Sequence, residues 1–306
     1  MSKIKAIVHG LGNIGKATIA AFETAPDLEC LGVIRRAASL GSQSLNLRGV
    51  QDFVDLKSLI SAQGKPDVAI LCGPARSMAE DAQLYLEAGI NTVDCFDIHS
   101  EVPSLVEQLG AAAKKMERVA VVAAGWDPGT DSVLRVLFEA MAPIGTTFTN
   151  FGRGRSMGHT VAARGIKGVA DAVSITIPMG GGRHSRLVYV LPAQGAAQAD
   201  IRTRLAKDDY FAHDPLDVRF VSSQAELNMV ADNSHGVLIE RIGASGLTSN
   251  QHLFFDMRID NPALTAQILV SCARASTRLA AGSYTMIDIP PVALLAGERM
   301  SHIARL

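Results

Sequence analysis

The chain has 306 residues, 48% of them hydrophobic and 19% charged, with a net charge of −1. That length suits about two domains with a sizeable core. The near-neutral balance excludes nucleic-acid or membrane-surface binding driven by bulk charge. No apolar stretch approaches the roughly 20 residues that span a bilayer. The N-terminus runs straight into a strand-like segment, so no export signal is expected and a cytoplasmic location is. Cys30, Cys72, Cys95 and Cys272 lack C-x-x-C spacing and three of them sit in apolar runs. Buried free thiols are expected there, with no disulfide and no metal site.

In chain order, short apolar runs at 3–8, 28–34, 67–72, 91–95 and 118–124 alternate with amphipathic stretches such as Met78 to Ala88. This alternation predicts a doubly wound parallel sheet over residues 1–125, a Rossmann-type α/β domain. Beyond Pro128 a helical stretch reaches about Met141. The pattern then changes to β-rich runs at 173–177, 187–191, 218–221 and 253–259 with few helices between them. Residues 126–262 therefore read as an α+β domain with a mixed or antiparallel sheet. The amphipathic segment from Pro262 to about Ala281 opens a C-terminal stretch, 263–306, that is expected to return to the first domain.

The first strand runs into Gly10-Leu11-Gly12-Asn13-Ile14-Gly15, a G-x-G-x-x-G turn between strand and helix. Gly10 suits the tight turn, Gly12 lets backbone approach a pyrophosphate, and Gly15 lets helix pack on strand. The free N–H groups of the helix N-terminus favour phosphate. A dinucleotide site is expected, with Asn13 and Ile14 beside it. The second strand ends in Arg35-Arg36, where an NAD site usually has an acid. Two guanidiniums suit a 2′-phosphate through forked, charge-assisted bonds, so the expected cofactor is NADP. Later strand ends carry Cys72-Gly73-Pro74-Ala75, suited to backbone contact with a nucleotide, then Asp94 and Asp97, then Trp126 and Asp127. Two readings stand for Asp127, singly or together: a carboxylate of the site, and an N-cap with Pro128 at the first helical position.

The second domain carries the opposite charge. Arg153, Arg155, Arg164, Lys167, Arg183 and Arg186 lie between 151 and 186 with one acid, Asp171. Arg153, Arg155, Arg164 and Lys167 read as solvated surface, and Arg186, just before an apolar strand, as a ligand group. The stretch from Gly152 to His159 reads as a glycine-rich loop with exposed N–H donors for a carboxylate. Acids on one side and cations on the other suit an amino acid.

The elements Ala124-Gly125-Trp126-Asp127-Pro128-Gly129 and Gly152-Arg153-Gly154-Arg155-Ser156-Met157-Gly158-His159, in this order, resemble the meso-diaminopimelate dehydrogenase family. The resemblance extends to Val93-Asp94-Cys95-Phe96-Asp97, Ala172 to Pro178, His184-Ser185-Arg186, Ser234-His235-Gly236 and Asp260-Asn261-Pro262. It implies NADP-dependent oxidative deamination of the D-centre of meso-2,6-diaminopimelate to L-2-amino-6-oxopimelate and ammonia. It implies a D-centre pocket of Asp97, Trp126, Asp127, Met157 and Gly158. The L-centre pocket it implies holds Thr176, Arg186, His235 and Asn261, with Phe151 on the wall. Asp94 is grouped with the cofactor residues. Met157, in place of a common Gln, and the short segment from Pro178 to His184 resemble a compact subgroup that also aminates 2-oxo acids to D-amino acids. His159 and His235 are candidates for the general base, or for structural and substrate-binding roles; the other histidines are read as packing or surface. A small-molecule substrate and a homo-oligomer, dimer or hexamer, are expected. The alternatives are another NADP-dependent amino-acid dehydrogenase, such as a 2,4-diaminopentanoate dehydrogenase, and a non-catalytic NADPH sensor. A dihydrodipicolinate reductase is disfavoured, since no histidine-rich substrate motif of its kind is present.

Overall fold

The computed structural model describes residues 3–36, 49–231 and 234–306. Up to residue 141 the elements are β1 (Ile4–His9), α1 (Asn13–Ala21), β2 (Leu28–Ile34), β3 (Asp52–Phe53), α2 (Leu56–Gln63), β4 (Val68–Leu71), α3 (Met78–Glu87), β5 (Asn91–Asp94), α4 (Val102–Lys115), β6 (Val119–Val121) and α5 (Thr130–Met141). Then come β7 (Ile144–Phe151), β8 (Gly154–Arg155), α6 (Met157–Gly165), β9 (Val169–Gly180), β10 (Arg183–Pro192), α7 (Gln198–Lys207), β11 (Leu216–Phe220), α8 (Gln224–Val230), β12 (His235–Ser245) and β13 (Thr248–Ile259). The chain ends with α9 (Asn261–Ser276), β14 (Gly282–Tyr284) and α10 (Arg299–Ile303).

Contacts gather the chain into two compact units, Met1–Leu134 with Pro262–Leu306, and Arg135–Asn261. The composition change reads at 125/126, but residues 126–134 stay with the first unit. Locally, Thr130 N–H donates to the Gly125 carbonyl at 3.1 Å and Asp131 N–H to that of Trp126 at 3.0 Å, folding this stretch back on the turn that follows β6.

The first unit holds a seven-stranded sheet in the order β14-β6-β5-β4-β1-β2-β3, parallel at every pairing. Parallel strands are covered on both faces and so read as continuous apolar runs; all four residues of Val68-Ala69-Ile70-Leu71 are buried. One face packs against α9 through Ala266, Leu269, Val270 and Ala273, with Ala6, Val8 and Val121 from the sheet. The other packs against α3 and α4 through Tyr85, Leu86, Leu105 and Leu109. Gly15 is required by close approach, since a Cβ there would lie 2.1 Å from the Gly10 carbonyl oxygen. Strands β3 and β14, two and three residues long, carry too little periodicity to be read from sequence.

The second unit has a mixed four-stranded sheet, β11-β10-β9-β8, and an antiparallel three-stranded sheet, β13-β12-β7. The expected mixed or antiparallel sheet is thus realised as two sheets. Strand β7, Ile-Gly-Thr-Thr-Phe-Thr-Asn-Phe, escapes apolar patterning because it is largely exposed.

Candidate functional site

In the first unit, the carboxyl ends of β1, β2 and β4 frame a cavity of about 690 Å³. Gly10, Gly12, Arg35, Arg36, Cys72, Gly73 and Pro74 line it. These were expected together from sequence, and the parallel sheet brings them together. A Cβ at Gly12 would meet nothing within 4 Å, so its backbone faces open space at the N-terminus of α1. Asn13 is exposed on the first turn of α1 and Ile14 packs into the core, so neither lines the cavity. Ala75 lines a separate cavity beside Phe96.

The arginine pair divides. Arg35 is buried and its Nη1 donates to Asp52 Oδ2 at 3.3 Å, which ties β2 to β3. Arg36 is exposed at the cavity wall. Three polar lining residues were not among the expected cofactor residues: His9, Ser77 and Asp81. Ser77 Oγ donates to Asp81 Oδ2 at 3.0 Å, and the Asp81 carboxylate lies 4.0 Å from His9 Nδ1. Burial lowers the His9 pKa, against the pull of Asp81. Their signal was strand-end and helix-start position alone, which does not separate them from packing residues.

Asp94 is a correction. It was grouped with the cofactor residues, yet it is fully buried at the end of β5. Its Oδ1 accepts from Phe96 N–H at 3.0 Å and Ala123 N–H at 2.9 Å, clamping β5 to β6. Burial pushes its carboxyl up to about 6, against the lowering effect of those two bonds.

The Trp126 to Gly129 turn bears on the N-cap reading of Asp127. The Asp127–Pro128 peptide is cis; α5 begins only at Thr130, so Pro128 is not the first helical residue as that reading expects. The Asp127 carboxylate lies 3.6 Å from His99 Nε2. Trp126 is half-buried, while Asp97 and His99 are exposed. His99 was read as surface; its pairing depends on the turn and has no sequence signature.

In the second unit, Phe151, Arg155, Ser156, His159, Thr176, Arg186 and His235 line a cavity of about 230 Å³; Arg155, expected at the solvated surface, is half-buried in its wall because β8 pairs with β9. Arg186, only 6% exposed, donates from Nη1 to Thr176 Oγ1 at 2.6 Å and from Nε to Asp214 Oδ2 at 2.9 Å. Its Nη2 lies 2.6 Å from His184 Nε2. Burial raises the Asp214 carboxyl, but the Arg186 bond and the adjacent His184 outweigh this and hold it below the usual carboxylate range. Desolvation and then the Arg186 charge lower the His159 pKa, which keeps the ring neutral at pH 7. Its Nδ1 lies 2.8 Å from Ser156 Oγ.

The expected glycine-rich loop with free donors is a second correction. Gly152, Arg155 and Ser156 N–H groups donate to the carbonyls of Gly236, Ser234 and Ser174. The segment is strand β8 and the start of α6, so sheet pairing has consumed those donors. Met157 and Gly158 occupy the first turn of α6, where amides have no intrahelical partner. Asn261 opens α9, two residues beyond Ile259, which pairs with the cavity-lining His235; Asn261 itself does not line the cavity.

The family profile for the diaminopimelic acid dehydrogenase C-terminal domain matches residues 125–182. A meso-diaminopimelate D-dehydrogenase of Bacteroides fragilis is 45% identical over 306 residues, covering 100% of both chains. The chain belongs to the meso-diaminopimelate D-dehydrogenase family. Among solved structures, the Corynebacterium glutamicum diaminopimelate dehydrogenase in complex with diaminopimelate is 26% identical with a TM-score of 0.72, covering 100% of this chain and 99% of that one. An engineered D-amino acid dehydrogenase bound to NADP+ is 26% identical with a TM-score of 0.68, covering 99% of each chain. The expected fold of a diaminopimelate dehydrogenase, a Rossmann-type parallel sheet plus an α+β unit, is the one observed.

Proposed function

We propose that the chain catalyses reversible NADP-dependent oxidative deamination at the D-centre of meso-2,6-diaminopimelate, releasing L-2-amino-6-oxopimelate and ammonia. The observation that carries this reading is the buried Arg186 guanidinium on a cavity wall, in a chain 45% identical throughout to a meso-diaminopimelate D-dehydrogenase. A buried guanidinium with unspent N–H groups is suited to a carboxylate.

The cofactor cavity fits NADP. Open backbone at Gly12 and the α1 N-terminus suit a pyrophosphate. Arg36, and not an acid, stands at the end of β2 to meet a 2′-phosphate, with Arg35 holding the strand end. When bound, the cofactor supplies the hydride acceptor. Asp97 and Asp127 bind the D-centre ammonium, and Trp126 packs beside it. The α6 amides of Met157 and Gly158 receive the adjacent carboxylate. Thr176, Arg186, His235 and Asn261 receive the distal amino-acid end, with Phe151 on the wall. Holding both ends presents one hydrogen for transfer, and such orientation is worth several kcal/mol of barrier. Loss of the Cα hydride leaves an iminium. Water adds to it, and the resulting carbinolamine releases ammonia and the 2-oxo acid. His159, kept neutral, suits a proton-accepting role. Met157 and the tight Pro178–His184 hairpin support a wider range of D-amino acids.

Free thiols at all four cysteines support a reducing, cytoplasmic setting. Cross-strand register puts Ile144, Ile242 and Phe254 on one face of the β13-β12-β7 sheet, and all three are exposed. That apolar face suits a homo-oligomer contact. Light scattering should find more than one chain per particle.

The deciding experiment follows NADPH formation with meso-diaminopimelate and a panel of D- and L-amino acids. Turnover with meso-diaminopimelate and NADP+, and none with L-amino acids, is expected. Preference for 2,4-diaminopentanoate, or NADPH binding with no turnover of any amino acid, would overturn the reading.

A further inference from the structure

Arg186 does not stand alone in its cavity wall. Three of its five N–H groups are engaged within the protein, by Asp214, Thr176 and His184. One N–H on each Nη is left. Because Thr176 Oγ1 accepts from Nη1, its own hydroxyl hydrogen is free to donate. Three donors therefore remain on the wall that Thr176 and Arg186 share, one hydroxyl and two guanidinium N–H groups. That is the complement of one carboxylate.

The orientation of this set depends on Asp214. Its Oδ2 receives Arg186 Nε at 2.9 Å and also lies 3.0 Å from His184 Nε2. The backbone reinforces the arrangement: Arg186 N–H donates to the Pro215 carbonyl at 2.8 Å, and Arg186 stands opposite Leu216 in the parallel β10–β11 pair. Asp214 is thus carried beside Arg186 by strand pairing. Neither Asp214 nor His184 lines the cavity; both act from behind the guanidinium. With its Nε anchored, Arg186 can turn only its remaining N–H groups to a ligand.

We propose that Asp214, with His184 on the neighbouring Nη2, is a positioning residue that aims the Arg186 guanidinium and thereby sets selectivity for a second carboxylate on the substrate. This rests on the reading that Arg186 receives the distal carboxylate. Without Asp214 the guanidinium keeps its charge but loses its plane, and bidentate recognition is lost while attraction remains.

The test is a double-mutant cycle on kcat/KM for meso-diaminopimelate with D214N, R186M and the double variant. D214N should lower kcat/KM at least tenfold in the wild-type background and less than twofold in the R186M background. D214E, which restores the charge one methylene further out, should recover part of the loss. NADPH affinity and the melting temperature check that each variant folds. Equal losses from D214N in both backgrounds would make Asp214 merely structural and overturn the proposal. So would no loss at all. If R186M itself leaves kcat/KM unchanged, the underlying reading of Arg186 fails, and the proposal fails with it. Should D214N not fold, the same cycle with D214E decides: a loss confined to the wild-type background supports the proposal, and an equal loss in both refutes it.

Discussion

Replacing Asp94 with Asn tests whether this carboxyl is a cofactor ligand or a buried clamp. The structure gives a signed, sizeable expectation. Burial raises the carboxyl from its ordinary 3.8 to about 6 in the folded chain. At 1.36 kcal/mol per pH unit, that is on the order of 3 kcal/mol of differential stability. The folded value lies above the unfolded one, so folding favours the protonated form. Its contribution is full below about pH 4 and is lost as the pH rises through about 6. An Asn at this position keeps an oxygen to accept from Phe96 and Ala123, but does not titrate. Its NH2 would replace Oδ2, which is buried without a partner among the described residues. That adds a cost of about 1–3 kcal/mol that does not vary with pH. The assay is therefore denaturant unfolding of both proteins from about pH 4 to about pH 8, read as the wild-type-minus-variant difference. That difference should fall by roughly 3 kcal/mol, most of it between about pH 4 and pH 6. NADPH affinity should stay within about twofold. A difference that does not change with pH refutes the buried-charge argument. A tenfold loss of NADPH affinity returns Asp94 to the cofactor site.

Other substitutions separate the remaining roles. Arg36→Ala should weaken NADPH binding by about 1.5–3 kcal/mol, the scale of a charged hydrogen bond, and leave NADH binding nearly unchanged in fluorescence titrations. Equal losses would remove Arg36 as the 2′-phosphate contact. Arg35→Ala, which strands Asp52 and loosens the β2–β3 pair, should weaken both cofactors together. Asp127→Asn should cut kcat/KM about 10–100-fold, the loss of one charge-assisted contact, with NADPH affinity intact; an unaffected rate would take Asp127 out of the mechanism. Asp27→Asn removes the partner that receives Arg274 Nε at 2.5 Å and Nη2 at 2.7 Å, joining α9 to the start of β2. A loss of about 2–3 kcal/mol is expected at neutral pH, below the range for a fully buried pair because Asp27 is partly exposed. The bond from Arg274 lowers the Asp27 pKa, so this advantage is present above the unfolded value and is lost as the pH falls through the folded one. Urea unfolding in neutral and acidic buffer reads it directly, and an advantage that persists in acid would contradict it.

The glycine turn, the alternation of apolar runs and the Arg35-Arg36 strand end were legible in the sequence because each is local. A βαβ unit must bury its strands, and a phosphate site must leave backbone bare, so both leave marks within a few residues. Trp126-Asp127 and Arg186 were legible only through their resemblance to a family. What local pattern could not supply was partnership across the chain. Two adjacent arginines look alike in sequence; Asp52, seventeen residues on, leaves Arg35 buried and Arg36 exposed. Asp94 and Asp127 follow similar strand ends, yet one is sealed between β5 and β6 and the other faces His99. The glycine-rich stretch after Phe151 looked like free donors until sheet pairing consumed them. Asp214 shows no motif at all, and it reaches Arg186 only because β10 and β11 pair in parallel. The sequence by itself determined the layered fold, the dinucleotide turn and the kind of charges available. The tertiary structure alone decided which of those charges are neutralised, buried or left for a ligand, because desolvation and ion pairing depend on neighbours far away along the chain.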